Sequence, residues 1–355
     1  MAERAKPSRA PKSPKSPTRR RLDAEALQLA SRRAYHGFLR HRGLDSAASL
    51  AFFAAISVFP AALAVVSAFS LVDSRGHAIG DILRIASTVA PDSTTATLRV
   101  PLEQLLSIPD PGYGLLIGLV LTLWTVSGYV TAFGRAINTA YDVQEGREWL
   151  LLRARMLLVA LAIMVAGAIG VLLLAGTPDI ARAVAQSQGL PDWVPVLWDI
   201  LKWPAIFGLA IVVVALLYYY SPNVRHLRIR WVTFGALLAI VVWVLSTVGF
   251  AAYVLGFSHY SSVYGWLGGA IVLLLWLYLS NFVVVAGAEA DAELVRVRQL
   301  EAGIPSETNI QLPLRDTHRA KKLERWLLKD QADGAKLRKN ADRRDARRHR
   351  SPGTD

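Results

Sequence analysis

Six blocks along the chain run for about 20 residues or more without an Asp, Glu, Lys, Arg or His. They cover approximately 46–72, 113–134, 156–176, 203–220, 231–257 and 264–288. At about 1.5 Å of rise per helical residue, each is long enough to cross roughly 30 Å of hydrocarbon. A helix in a soluble core keeps a polar face and a membrane β-strand alternates; these blocks do neither. The pattern predicts an all-α integral membrane protein with six transmembrane helices.

The polar stretches divide the rest. Residues 1–44 form a basic tail, rich in Pro and Ser up to about residue 22, followed by an interfacial helix between Leu22 and Leu44 with Leu27, Leu29, Tyr35, Phe38 and Leu39 as its apolar residues. Residues 45–300 make up the six-span membrane domain, and 301–355 a second basic, largely disordered tail. Within that tail, Leu323, Trp326 and Leu327 give the stretch Arg319–Lys339 a small apolar helical face. The loop from Asp73 to Pro111 also has helical spacing, with Ile79, Ile82, Leu83, Ile85 and Val89 before Pro91, and Leu98, Leu102, Leu105 and Leu106 before Pro109. It predicts an outer loop of two short amphipathic helices. The first apolar block exceeds the 7 to 15 or so residues of a secretory signal core, so it reads as a span.

Charge gives the chain a direction. If the blocks cross alternately, 35 of the 40 Lys and Arg fall on one side, and that side carries +16 of a total net charge of +13 while the other carries −3. The positive-inside rule then puts both termini in the cytoplasm. The surplus flanks membrane spans, where it meets anionic lipid headgroups; no aromatic-interleaved platform accompanies it, which argues against specific nucleic-acid binding. Cysteine is absent, so thiolate metal sites and disulfides are excluded.

Inside lipid, helices meet through small residues and polar contacts. Gly114 and Gly118 make one GxxxG step, Gly265 and Gly269 another, and Gly167 with Gly170 a third close-approach face. Packing within the chain is the first use of such steps, and a homo-oligomer the alternative. Pro60, in mid-span, frees the carbonyl of Ile56 four residues back, for which the Ser57 hydroxyl is a local partner. Ser127 and Asn281 add polar groups to their spans, and Glu289 stands at the cytoplasmic end of the last. No ionisable group lies deep in any block, which argues against a proton pump or voltage sensor. After the second block, Phe133, Ile137, Ala140 and Tyr141 share a helical face, with Asn138, Arg135, Arg147, Arg153 and Arg155 nearby. Arginine binds phosphate bidentately, so this stretch suits an anionic headgroup.

Five stretches carry a family likeness: LAFFAAISVFP (50–60), WTVSGYVTAFGRAINTAYDVQEGR (124–147), YYYSPNV (218–224), YGWLGGAIVLLLWLYLS (264–280) and GAEADAE (287–293). In order and spacing they resemble the YihY/BrkB membrane proteins. Phe52 and Phe53 stand where that family often has Tyr, and Asp291 where Asn is common. The resemblance implies a bacterial inner-membrane protein of uncertain activity, from a family long labelled a ribonuclease and linked to serum resistance and envelope lipid export. The residues argue against that label: His36, His41, His77, His226, His259, His318 and His349 are scattered, and no carboxylate cluster suits a metal pair. No catalytic residue, metal or cofactor is therefore expected. The function expected is translocation of an amphipathic envelope component such as a lipid, along a groove lined by spans one, two, five and six. Its candidate contacts are Ser57, Pro60, Ser127, Asn138, Tyr141, Arg147, Arg153, Asn281 and Glu289. The alternative is a non-transporting membrane scaffold that recruits partners through its basic tails.

Overall fold

A computed structural model describes residues 23–72, 110–224, 241–250 and 261–348, together with Leu83 and Ala252. The described chain is helical: α1 (Ala24–Arg40), α2 (Gly43–Val72), α3 (Pro111–Ala140), α4 (Trp149–Ala175), α5 (Pro178–Ser187), α6 (Trp193–Tyr220), α7 (Val241–Phe250), α8 (Ser261–Glu301) and α9 (His318–Arg348). Five of these, α2, α3, α4, α6 and α8, are long and apolar enough to cross a membrane. They match five of the six expected spans and extend past the apolar blocks at their ends. Of the remaining block, only the ten residues of α7 are described. The loop 73–109 and the tail 1–22 lie outside the described residues, and with them the two expected outer helices.

The helices turn small residues toward one another and large ones outward. On α3, Gly114, Gly118, Thr122 and Ser127 are buried, while Leu116, Ile117, Val120, Leu121 and Trp124 are exposed. In water that exposed face would be unfavourable; against lipid tails it is the expected arrangement. At Gly118 a Cβ would sit 2.7 Å from the backbone of Ala64, so here the GxxxG step serves packing of α3 on α2. A Cβ on Gly167 would meet no other part of the chain within 4 Å among the described residues.

Helix α2 continues on both sides of Pro60, and the Ser57 hydroxyl donates to the Phe53 carbonyl at 2.7 Å rather than to that of Ile56. The hydroxyl thus bonds to a carbonyl three residues before the one that Pro60 frees. A helix not anticipated, α5, follows α4. Pro178, whose fixed φ suits a first helical turn, starts it.

One end of the bundle gathers the start of α2, the end of α3, the start of α4 and the ends of α6 and α8. His41 at the α1–α2 junction lies 2.8 Å from Glu289 of α8. Tyr141, capping α3, donates to Asp291 of α8, and Arg147 before α4 donates to the Ser221 carbonyl after α6. We call this the basal end. Helix α1 packs across the end of α8 through Ala30, Leu294 and Val297. The segment after Glu301 departs from the expected disorder: Ser306 and Ile310 are buried, Leu314 pairs with Val224, and from His318 the chain is helical to Arg348. Side-chain partners for its backbone explain the order. Arg296 donates to the carbonyls of Ser306 and Thr308, and Gln299 both donates to and accepts from the backbone of Gln311.

A basic cavity at the basal end

Helix α3 ends at Ala140 because the chain reverses. Asp142 adopts φ 54°, a left-handed conformation that short polar side chains tolerate, and the loop to Glu148 runs back to start α4 at Trp149. The inward face of the last α3 turns is the expected one, with Phe133, Ile137, Ala140 and Tyr141 all buried. Burial, and then the Asp291 carboxylate beside it, push the Tyr141 phenol well above its ordinary value.

Asn223, in the turn after α6, ties three distant segments together. Its backbone N–H donates to Asn138 Oδ1 at 2.8 Å, and its side-chain amide donates to the carbonyls of Gln144 and Asp316 at 3.1 and 2.8 Å. Its Oδ1 accepts from the Asp316 N–H, and its own carbonyl from the Arg315 N–H. Arg315 in turn donates to the carbonyls of Val224 and Tyr219. The loop fits tightly against this strap: a Cβ on Gly146 would lie 1.9 Å from the Asp316 carbonyl oxygen, and the Gly146 carbonyl accepts from Arg319 N–H at 2.9 Å.

Beside the strap lies a cavity of about 580 Å³. Four arginines line it, Arg135 from α3, Arg147 from the loop, Arg153 from α4 and Arg319 from α9, with Glu145 the one carboxylate. Trp149, Leu152, Met156 and Leu323 supply apolar wall. Arg147 is buried and holds Glu145 bidentately, Nε to Oε1 and Nη2 to Oε2, both at 2.7 Å, and Asn138 donates to the same carboxylate at 3.0 Å. Burial alone would raise the Glu145 carboxyl, but the hydrogen bonds and charge of Arg147 and the Asn138 amide outweigh it and hold the group below its ordinary range. Arg147 Nη1 is buried with no partner among the described residues. The Arg153 guanidinium lies 4.0 Å over the exposed Trp124 ring. Arg135 and Arg319 make no side-chain hydrogen bond or ion pair with a described residue.

Across the same end, the charges pair off. Arg296, fully buried, reaches Glu293 at 3.1 Å and Asp142 at 2.8 Å, and Arg33 of α1 reaches the other oxygen of Glu293 at 2.8 Å. His41 stands between Glu289 Oε1 at 2.8 Å and Asp142 Oδ1 at 3.3 Å. Glu289 Oε2 has no partner among the described residues. No group of three His, Asp or Glu suited to hold a metal ion occurs among the described residues.

The nine candidate residues therefore fall into separate places. Asn138, Arg147 and Arg153 meet at the cavity; Tyr141 and Glu289 belong to the α8 side; Asn281 accepts from the Tyr129 hydroxyl at 2.8 Å within the bundle. Ser57, Pro60 and Ser127 stay in their spans, where both hydroxyls bond to carbonyls of their own helix. The cavity lies beside α3, α4 and the end of α6, so of the spans expected to line the groove only span two, α3, contributes described residues to it. Sequence reading passed over the Arg296–Asp142–His41 chain, although GAEADAE marks its neighbourhood. Arg319 carried no signal, since only the strap brings it beside Arg147.

A family model described as virulence factor BrkB matches residues 34–310. A ribonuclease-like protein, YfkH, of Bacillus subtilis is 29% identical over 260 residues, 73% of this chain and 93% of the relative. A UPF0761 membrane protein of Chromobacterium violaceum is 27% identical, covering 74% of this chain and 63% of the relative; one of Verminephrobacter eiseniae is 31% identical, covering 72% and 59%. No solved structure matches. With the family model running from within α1 through α8 to residue 310, the chain belongs to the BrkB family of membrane proteins.

Proposed function

We propose that this chain is a six-span bacterial inner-membrane protein that takes hold of an amphipathic envelope component, a lipid, by its anionic head at the basal cavity and moves it between leaflets. The cavity carries this reading: four guanidinium groups against one carboxylate, with apolar wall beside them, fit a molecule charged at one end and greasy at the other. Two features support the sixth crossing. Helices α6 and α8 both finish at the basal end, so they run the same way, and the chain between them has to cross back through 225–260, which contains the apolar α7. The surplus of Lys and Arg on the basal side supports cytoplasmic termini. The proposed activity is non-enzymatic and needs no metal or cofactor.

Transbilayer movement of a fluorescent anionic lipid in reconstituted vesicles tests it. The protein should speed the movement over protein-free vesicles and Arg153→Gln should slow it; equal rates with and without protein would end the reading. The scaffold reading rests on α9, whose exposed Leu323, Trp326, Leu327 and Leu328 lie among exposed basic residues, a suitable surface for a partner or for the bilayer. Deleting 325–355 leaves Arg319 and Leu323 in place: a scaffold loses its role, a translocator keeps its activity.

A further inference from the structure

We propose that the cavity selects a phosphate monoester or pyrophosphate over the phosphodiester of ordinary phospholipids, and that α9 completes the site through Arg319. This rests on the reading of the cavity as a headgroup site and names the headgroup. Arg135, Arg147, Arg153 and Arg319 face one carboxylate, so the cavity holds a surplus of three positive charges. Both oxygens of Glu145 are already taken by Arg147, which leaves none of its charge for the other three. Arginines gathered in this way repel one another unless an anion joins them. A phosphodiester supplies one negative charge and two free oxygens. A monoester supplies about 1.5 to 2 charges near neutral pH and three acceptor oxygens, and a pyrophosphate more of both.

The donors present match the larger group. Arg147 lines the cavity and is held by Glu145 and the Ser221 carbonyl through Nε and Nη2, while its Nη1 has no partner among the described residues and is a donor for an acceptor there. The stacking of Arg153 on Trp124 leaves the edge of its guanidinium available for bidentate bonding. Arg135 and Arg319 approach from α3 and α9 with no ion pair to a described residue. Arg319 owes its position to the strap: its backbone bonds to Gly146, and Asp316 three residues earlier is held by Asn223.

The test uses the full chain in phosphatidylcholine nanodiscs carrying either phosphatidic acid or phosphatidylglycerol, with retained lipid read by native mass spectrometry and inorganic pyrophosphate titrated as competitor. Phosphatidic acid should be retained about tenfold over phosphatidylglycerol, the equivalent of one further charge-assisted hydrogen bond. The double variant Arg135→Gln/Arg319→Gln should erase the preference without lowering the melting temperature, since neither side chain bonds to a described residue. Equal retention of the two lipids, or a preference that survives the double variant, would overturn the proposal. Pyrophosphate binding without phosphatidic acid retention keeps the phosphate class and assigns it to a free anion. Retention of phosphatidic acid without transbilayer movement keeps the site and removes the translocation reading alone.

Discussion

The two sides of the basal end use arginine in opposite ways. On the α8 side, Arg296 and Arg33 meet Glu293 and Asp142, and the charges close on one another in a buried chain. On the α3–α4 side, four arginines line a cavity whose one carboxylate among the described residues, Glu145, is held by only one of them, Arg147. A buried cation costs several kcal/mol unless paired, so the first arrangement holds helices together, while the second leaves a positive surplus beside an open volume. Arginine count alone would not separate them; the balance of partners does.

The largest effect that would break this contrast is in the paired network. Arg296→Met leaves Asp142 and Glu293 short of a buried partner and should cost about 3 to 5 kcal/mol, read as a fall in melting temperature in detergent. A loss under about 1 kcal/mol would mean that this side is no more structural than the other. Next comes the strap. Asn223→Ala orphans the carbonyl of Gln144 and the carbonyl and N–H of Asp316, at about 1 to 3 kcal/mol, and should speed proteolysis near residue 316 more than elsewhere.

The carboxylate of the cavity gives a smaller, pH-dependent effect. Glu145 titrates below its ordinary 4.5 in the folded protein, so its contribution is fully present above 4.5 and fades as the pH falls through the lower, folded value. The melting-temperature gap between wild type and Glu145→Gln should be constant near neutral pH and close in acid. At the bottom of the scale, Arg135→Gln/Arg319→Gln should change stability by less than about 0.5 kcal/mol, because those side chains have no partner to lose. A large loss there would place them in the structural class with Arg296.

The spans were legible because lipid imposes one rule on every face of a helix, and that rule leaves uninterrupted apolar blocks. Their ends were less so: α3 runs on to Ala140 past the exposed Arg135, and α8 to Glu301, where protein rather than water surrounds Glu289 and Asp291. At the cavity, Asn138, Arg147 and Arg153 were visible because they are near in sequence and share one stretch. Arg319 and Asn223 were not, being joined to that stretch by folds of the chain across some 170 and 80 residues respectively. The tail read as disordered from its composition, but the residues that order it, Asn223, Arg296 and Gln299, lie outside it.

The strap also sets an order of assembly. Gln144, Asn138 and the turn at Asn223 are synthesised long before Asp316, and the bonds of the Asn223 side chain to the Asp316 backbone are the last of this set to close. While the ribosome is still making the last span, the cavity lacks Arg319 and the wall at Leu323. A partly inserted chain therefore has no complete cavity, and its fourth arginine arrives only when synthesis has passed the strap.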